Sequence, residues 1–227
     1  MLDSLFRRGD AARFRYRGVE LEIPKRLLTS NMQKSFDHKY YEAAEADALP
    51  KILTDGDIVM EVGGGVGFIS TLCKMDPRVK EVHTFEANPA LVPVIARTGE
   101  LNRVDLNVYD ELLLGYNGHA SFYVSNDFWA SSTRKHGQEI TVPCRKLEER
   151  LAEIRPTVLI VDIEGGEQTF FDGADLSGID RIMLELHSGW IGGAGVLHVF
   201  QVLSDNSFYY DQANSSGAIV TFRRLRR

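Results

Sequence analysis

The sequence predicts an α/β protein built on a doubly wound, mostly parallel sheet, and three observations support this. Strand and helix patterns alternate through most of the 227 residues, as in chains of βαβ units. Residues 157–164 and 181–187 are apolar runs that end in polar groups, as expected of parallel strands buried on both faces. Acidic side chains recur at the ends of predicted strands, where such sheets bind their ligands.

The N-terminal part is predicted to precede the sheet. Alternation in RFRYRGVELEI (13–23), with Arg-Gly in its middle, favours a short hairpin. The polar residues 29–36 are expected to form a connection or a short helix. An Ala/Glu-rich pattern predicts a helix over 40–53, which Pro50 should kink or end.

The remaining segments follow in alternation, closed by two strands near the C-terminus. Strands are predicted at 58–62, 81–87, 106–114, 119–124, 139–144, 157–164, 181–187, 208–213 and 218–224. Helices are predicted at 66–75, 89–102, 146–154 and 196–205.

Composition and charge argue against several classes of protein. The chain carries 26 Lys and Arg against 32 Asp and Glu, a net charge of −6, which argues against binding to nucleic acid. Its two cysteines, Cys73 and Cys144, lack metal-ligand spacing and suggest reduced thiols. Neither a signal peptide nor an apolar run long enough to span a membrane is recognisable, so a cytoplasmic protein with no membrane partner is expected.

A glycine cluster follows the first central strand, in IVMEVGGGVGF (58–68). Gly63, Gly65 and Gly67 form GxGxG, whereas a dinucleotide fingerprint would require a glycine at Phe68. Glu61, just before the turn, suits a ligand with an ammonium group and repels a pyrophosphate. The loop therefore resembles the ExGxGxG signature of enzymes that use S-adenosylmethionine (SAM).

Glu86 is the second candidate cofactor contact. It ends the second strand 19 residues after Gly67, where a carboxylate could accept hydrogen bonds from both ribose hydroxyls. NAD enzymes bind the ribose through a carboxylate in the same way. A nicotinamide-dependent oxidoreductase is therefore an alternative, although a Ser/Tyr/Lys catalytic set is not evident. A third reading is a protein of this fold that binds SAM without turnover.

Four further segments resemble FkbM-type methyltransferases, over about residues 40 to 190. They are VDIEGGE (161–167), similar to the family's D-x-E-G-x-E core, TVPCRKLEERL (141–151), FEANP (85–89) and LELH (184–187). An aromatic–Glu pair, Tyr41-Glu42, is also shared. The glycine loop departs from the family pattern, because Glu61, Gly64 and Gly65 stand where Asp, Ala and Asn are usual.

The resemblance implies a seven-stranded, Rossmann-like SAM-dependent fold whose last strand is antiparallel. The chain is expected to divide into an N-terminal extension (1–39), a hairpin that could cover the acceptor pocket or serve a dimer interface, and a methyltransferase domain (40–227). The implied activity is O-methylation of a hydroxyl on a small molecule or sugar, so the expected partner is a small-molecule or glycan acceptor. A homodimer is compatible with the sequence.

Strand-end residues supply the predicted catalytic groups, His187, Asp162 and Glu164, and Asp162 is also a candidate cofactor contact. His187, with an ordinary pKa of about 6.5, is expected to be neutral and able to accept a proton. Asp162 and Glu164 lie two apart in a predicted strand and should share a face. They could hold a cation, but without an obvious third ligand no metal is predicted. Structural roles for all three remain open.

Two further segments are weaker candidates. Asp110-Glu111, at the end of the third strand, could contact adenine. The loop over 125–138, with its FWASSTRKH segment, could be a substrate lid or a solvated hairpin loop.

Overall fold

The computed structural model describes residues 9–125, 131–133 and 137–225. Its strands are β1 (Ala11–Tyr16), β2 (Val19–Pro24), β3 (Asp57–Val62), β4 (Val79–Phe85), β5 (Asn107–Tyr109), β6 (Leu112–Leu114), β7 (Gly118–Val124), β8 (Gln138–Lys146), β9 (Val158–Val161), β10 (Arg181–Glu185), β11 (Phe208–Tyr210) and β12 (Ile219–Arg224). The helices are α1 (Ser30–Asp37), α2 (Ala43–Ile52), α3 (Phe68–Met75), α4 (Val92–Asn102), α5 (Leu147–Ile154), α6 (Glu167–Phe170) and α7 (Ser188–Asp205).

Seven strands form the central sheet, in the order β11-β12-β10-β9-β3-β4-β5. β12 runs antiparallel to both of its neighbours, β10 and β11, and the other described strand pairs of this sheet are parallel, so the predicted mostly parallel sheet with an antiparallel last strand is confirmed. From β3 the chain continues to β4 and β5 on one side, and later to β9 and β10 on the other. The strand order therefore reverses at β3, and a ligand crevice is expected outside the carboxyl ends of β3, β4 and β9.

Apolar side chains cover both faces of this sheet, because successive residues of a strand point to opposite sides. Val59 and Ile160 belong to the core on one face. Met60 and Leu159 belong to the core on the other. This two-sided burial explains the continuous apolar runs in the sequence.

The predicted third strand, 106–114, is wrong as one element. The structure divides it into β5, which pairs with β4, and β6, which joins a separate three-stranded sheet in the order β6-β8-β7. Leu112 pairs with Cys144 of β8. Asp110 and Glu111 interrupt the apolar pattern between the two strands, but nothing in that pattern shows that the strands join different sheets.

The N-terminal hairpin is present as predicted. Tyr16 of β1 stacks on Phe68 of α3, with 5.0 Å between ring centroids. Buried Glu22 of β2 accepts hydrogen bonds from Arg13 and Arg97, each 2.8 Å long. The hairpin thus shares a core with the sheet's helices. The division at residue 40 stays a prediction.

The helices agree with the predictions, with differences at their ends. Pro50 lies inside α2, which ends two residues later. Pro93 lies in the first turn of α4, where the missing N–H has no helical partner to lose. α7 begins well before the predicted position, with a kink at Gly192, whose φ is 65°. No helix among the described residues has both the length and the apolar content needed to cross a bilayer.

Candidate active site

The glycine loop leaves the carboxyl end of β3 and packs tightly against other segments. A Cβ on Gly63 would lie 1.8 Å from the backbone oxygen of Asp162, and one on Gly67 would lie 3.0 Å from Ile95 Cα. At Gly64 the nearest atom would be Thr84 Oγ1, at 2.4 Å. Side chains are therefore excluded at these three positions by the protein itself, whatever ligand the loop also contacts.

Glu86 follows β4 and faces this loop. Its carboxylate accepts hydrogen bonds from the backbone N–H of Gly65, at 2.9 Å, and of Asn88, at 2.7 Å. Burial raises the pKa of Glu86 to about 7, although these two N–H groups favour the ionised form. The side chain is thus positioned by backbone groups beside the loop.

Glu61 lies on the other side of the loop. It is 3 % exposed, and Thr84 Oγ1 donates a 2.5 Å hydrogen bond to its Oε2. Burial raises the pKa of Glu61 to about 8, against the opposing effect of its hydrogen bonds. Glu61 borders a small pocket of about 20 Å³, shared with Glu45 and Glu185. Such a volume accommodates about one water molecule and no cofactor.

A cavity of about 420 Å³ opens beside the carboxyl ends of the strands. Its size is typical of sites for small organic ligands. Of the predicted site residues, those that line it are Gly63, Gly65, Glu86, Asp162 and Glu164. Glu61, Gly67 and His187 are absent from its lining.

The lining of the cavity comes from both sheets and is strongly acidic. Leu112–Leu114 of β6 and Phe122 of β7 supply an apolar wall. Among the described lining residues, seven are acidic and one, Lys146, is basic. The acidic residues are Glu42, Glu86, Glu111, Glu148, Asp162, Glu164 and Asp172. This charge disfavours a polyanionic ligand and favours a neutral or cationic one.

His187, just beyond β10, lies among carboxylates. Its Nδ1 donates a 2.6 Å hydrogen bond to Glu167 Oε1. Its Nε2 is 3.2 Å from Glu164 Oε2, and 3.8 Å from both Asp162 Oδ1 and Glu185 Oε1. Burial by itself would lower the pKa of His187, but hydrogen bonds and charge from Glu164 and Glu167 raise it to about 11. A raised pKa favours the protonated ring, whereas the sequence-based expectation was a neutral imidazole.

Asp162 and Glu164 differ from the sequence-based expectation in backbone conformation. β9 ends at Val161; Asp162 follows it directly, with its N–H donating to the carbonyl oxygen of Val62, whereas Glu164, with a left-handed φ of 46°, lies in a turn. Both residues still line the cavity. Burial, followed by repulsion from Glu185 and Glu164, raises the pKa of Asp162 well above its usual value. Its buried Oδ1 has no hydrogen-bond partner among the described residues.

Sequence reasoning missed the contributions of two glutamates. Glu167 begins α6, and its side chain is completely buried and holds the His187 ring. Glu42 lines the cavity, and burial and nearby Glu45 raise its pKa well above the usual value. The sequence features that could have pointed to these residues were the Tyr41-Glu42 pair and the second Glu of VDIEGGE. Neither feature showed which residues would lie beside the glutamate in the fold.

The two weaker candidate segments also reach the cavity. Glu111 lines it and accepts hydrogen bonds of 2.9 and 2.5 Å from Arg150. Ser131, Ser132 and Thr133 line it too. Residues 126–130 and 134–136 of the predicted lid loop lie outside the described residues.

Comparison with protein families identifies the class. Residues 58–210 match the model of the "Methyltransferase FkbM domain". The chain belongs to the FkbM methyltransferase family. A comparison with curated proteins found no match.

Solved structures share the fold of this FkbM family member. M. jannaschii TYW2, solved in complex with AdoMet, aligns with a TM-score of 0.51 and 11% identity, over 97% of this chain and 90% of that one. The M. jannaschii tRNA m1G37 methyltransferase aligns with a TM-score of 0.52 and 12% identity, over 96% and 58%. Pyrococcus abyssi Trm5b aligns with a TM-score of 0.52 and 15% identity, over 94% and 56%. At these identities the likeness shows the fold alone.

These findings confirm a SAM-dependent methyltransferase with a Rossmann-like fold. They leave the nicotinamide alternative without support. The residues present also fit SAM as cofactor, since Glu86, Gly63 and Gly65 line one cavity of suitable size. Glu86 would hold the ribose hydroxyls, because a carboxylate has lone pairs beyond the two used by backbone N–H groups.

Proposed function

We propose that this FkbM family member transfers a methyl group from SAM to a hydroxyl oxygen of a small molecule or sugar. The observation that carries the proposal is that one cavity is lined both by Gly63, Gly65 and Glu86 and by Asp162 and Glu164. Predicted cofactor contacts and predicted proton acceptors thus border the same space. Methyl transfer requires this arrangement, because donor and acceptor must be held in line.

SAM supplies a methyl carbon bound to a positively charged sulfur that retains the bonding electron pair when the methyl group leaves. An alcohol is a poor nucleophile unless its proton is removed as the new bond to carbon forms. Asp162 and Glu164 provide acceptors for that proton on the cavity wall. His187 positions them, since its Nε2 lies between the two carboxylates.

The charge of the cavity supports a small, uncharged acceptor. A nucleic acid would bring phosphates towards seven acidic lining residues, against the single Lys146 among the described ones. Electrostatic repulsion of this kind disfavours binding that depends on phosphate neutralisation. The tRNA methyltransferases among the similar structures share the fold, and their substrates do not decide the acceptor here. A cytoplasmic location, a homodimer and a covering role for residues 1–39 stay predictions.

Calorimetric titration with S-adenosylhomocysteine tests the cofactor part, because this product-like ligand needs no acceptor. We expect micromolar binding that Glu86→Ala weakens at least about tenfold, since hydrogen bonds to a charged group are lost. Glu81→Ala is the matched control, because Glu81 is a partly exposed carboxylate on β4, the strand that Glu86 follows, and is paired with Lys80. Absence of binding, or preferential binding of NAD, would refute the proposal.

Transfer itself is measured with SAM labelled in its methyl group and a panel of hydroxylated small molecules and sugars. O-methylation is supported if the label appears in an ether product of the wild type and if Asp162→Asn no longer forms this product. Label in an amine would redirect the proposal to nitrogen acceptors. Tight binding of S-adenosylhomocysteine with no transfer to any acceptor would instead favour a protein that binds SAM without turnover.

A further inference from the structure

We infer that Asp162, Glu185 and His187 form a binding site for one divalent metal ion of the Mn²⁺ and Mg²⁺ type. The site lies beyond the carboxyl ends of β9 and β10. Each residue contributes one ligand atom, and these atoms lie within 4.8 Å of one another. The inference goes beyond the proposed function, and only the role suggested for the ion rests on it.

Strand register explains why the three residues meet. β9 and β10 are parallel neighbours, and Val161 pairs with Leu184. The next residues in each chain segment, Asp162 and Glu185, therefore emerge side by side at the same edge of the sheet. His187 follows two positions later and turns its imidazole towards them, at 3.8 Å from an oxygen of each.

Two buried carboxylate oxygens at this cluster lack a hydrogen-bond partner in the part of the chain that the structure describes. Asp162 Oδ1 is inaccessible to solvent and has no hydrogen-bond partner among the described residues. It is the Asp162 atom that lies nearest His187 Nε2. The fully buried Glu167 also has an unpartnered oxygen, Oε2. Buried carboxylate oxygens normally have a hydrogen-bond donor or a cation beside them.

The histidine is oriented as metal-binding histidines usually are. Glu167 Oε1 accepts the Nδ1 proton at 2.6 Å, which leaves Nε2 directed at the carboxylates. Ligating histidines commonly bind a carboxylate through the second ring nitrogen, which fixes the ring. Two oxygens and one imidazole nitrogen suit Mn²⁺ at least as well as Mg²⁺, because imidazole is a softer ligand.

The competing interpretation is a purely structural ion pair between His187 and Glu164, whose Oε2 is 3.2 Å from Nε2. A metal ion bound at Nε2 would release Glu164 from the ring. Because Asp162 and Glu164 both line the large cavity, the ion could then bind the acceptor hydroxyl oxygen while Glu164 accepts its proton. Three protein ligands leave coordination positions for that oxygen.

Manganese binding to the purified full chain tests the inference without any methyl acceptor. Titration with Mn²⁺, followed by calorimetry and by electron paramagnetic resonance of the free ion, should show one bound equivalent. Glu185→Gln and His187→Gln should weaken binding at least about tenfold. Glu100→Gln removes an exposed carboxylate of α4 that pairs with Arg97, and should leave affinity within about twofold.

A spectroscopic measurement separates a ligand from a nearby charge. Electron spin echo envelope modulation of bound Mn²⁺ should show nitrogen coupling from His187, and this coupling should disappear in His187→Gln. If His187→Gln does not fold, Glu185→Gln tests the site in its place, and its melting temperature shows that this variant is folded. Failure of the wild type to bind Mn²⁺, equal binding by all variants, or absence of nitrogen coupling overturns the inference.

Titration with S-adenosylhomocysteine in metal-free buffer keeps the two proposals distinguishable. Binding of this ligand by a protein that does not bind Mn²⁺ refutes the metal site and leaves the methyltransferase proposal intact. The reverse result supports the metal site and refutes the cofactor assignment.

Discussion

Glu61 offers a direct test of how burial controls the charge of this site. Its side chain is almost fully buried and its pKa is raised from 4.5 to about 8, first by desolvation and further by the charge of Glu86. An acid whose pKa is raised on folding stabilises the folded state fully only below its ordinary pKa. That contribution is lost progressively as the pH rises towards about 8. Above that value the folded protein must bury a charged carboxylate.

The size of the effect follows from the shift. Each pKa unit corresponds to about 1.4 kcal/mol, so Glu61 should cost the wild type about 3 kcal/mol of stability between about pH 5 and about pH 8. Glu61→Gln removes this dependence, because the amide stays neutral, and its carbonyl can still accept the hydrogen bond from Thr84. The free energy of unfolding of the variant minus that of the wild type should therefore increase by about 3 kcal/mol across this range.

The assay is denaturant unfolding without cofactor at several pH values. Glu22→Gln is the matched control, because Glu22 is also buried. There, the hydrogen bonds from Arg97 and Arg13 outweigh desolvation and lower the pKa. Its contribution is present above the ordinary pKa and is lost only as the pH falls through the lowered folded-state pKa, so its difference curve should be flat between about pH 5 and about pH 8. A flat curve for Glu61→Gln would refute the assignment of a raised pKa.

Two further predictions concern the loop and its neighbour. Gly63→Ala places a Cβ 1.8 Å from the Asp162 carbonyl oxygen at a φ of +93°, and should cost about 3 kcal/mol or more in denaturant unfolding. Gly189→Ala, with no atom within 4 Å of the new Cβ, should cost nothing, and equal losses would contradict the close approach. Because the pKa of Glu86 is about 7, affinity for S-adenosylhomocysteine should rise from pH 6 to pH 8 as the carboxylate ionises. An unchanged affinity across that range would show that binding of the ribose does not depend on the charge of Glu86.

Much of the framework could be predicted from local sequence. The alternation of strands and helices, the antiparallel closing strand implied by the family resemblance and the glycine loop after β3 all agree with the structure. The positions of Asp162 and Glu86 at strand ends were equally recognisable. These features depend on short-range patterns of apolar residues and on motifs whose spacing is visible along the chain.

No short-range pattern in the sequence indicated that β5 and β6 belong to different sheets. Both segments are apolar and close in sequence, yet one pairs with β4 and the other with β8. The choice of partner depends on which strand edge is free in the folded chain, so only the tertiary structure decided it. The consequence for the site is the apolar wall that β6 contributes to the cavity.

The sequence by itself determined the class of protein, the strand-end acids and the loop that must be free of side chains. Only the tertiary structure shows why this loop lacks side chains. The atoms that exclude side chains there belong to Asp162 and Ile95, which lie in distant segments of the chain. The tertiary structure also decided that Glu61 borders a separate small pocket and that carboxylates surround His187, which raises the pKa of its imidazole. Charge states depend on burial and on carboxylates brought together across β9 and β10, and neither is a property of local sequence.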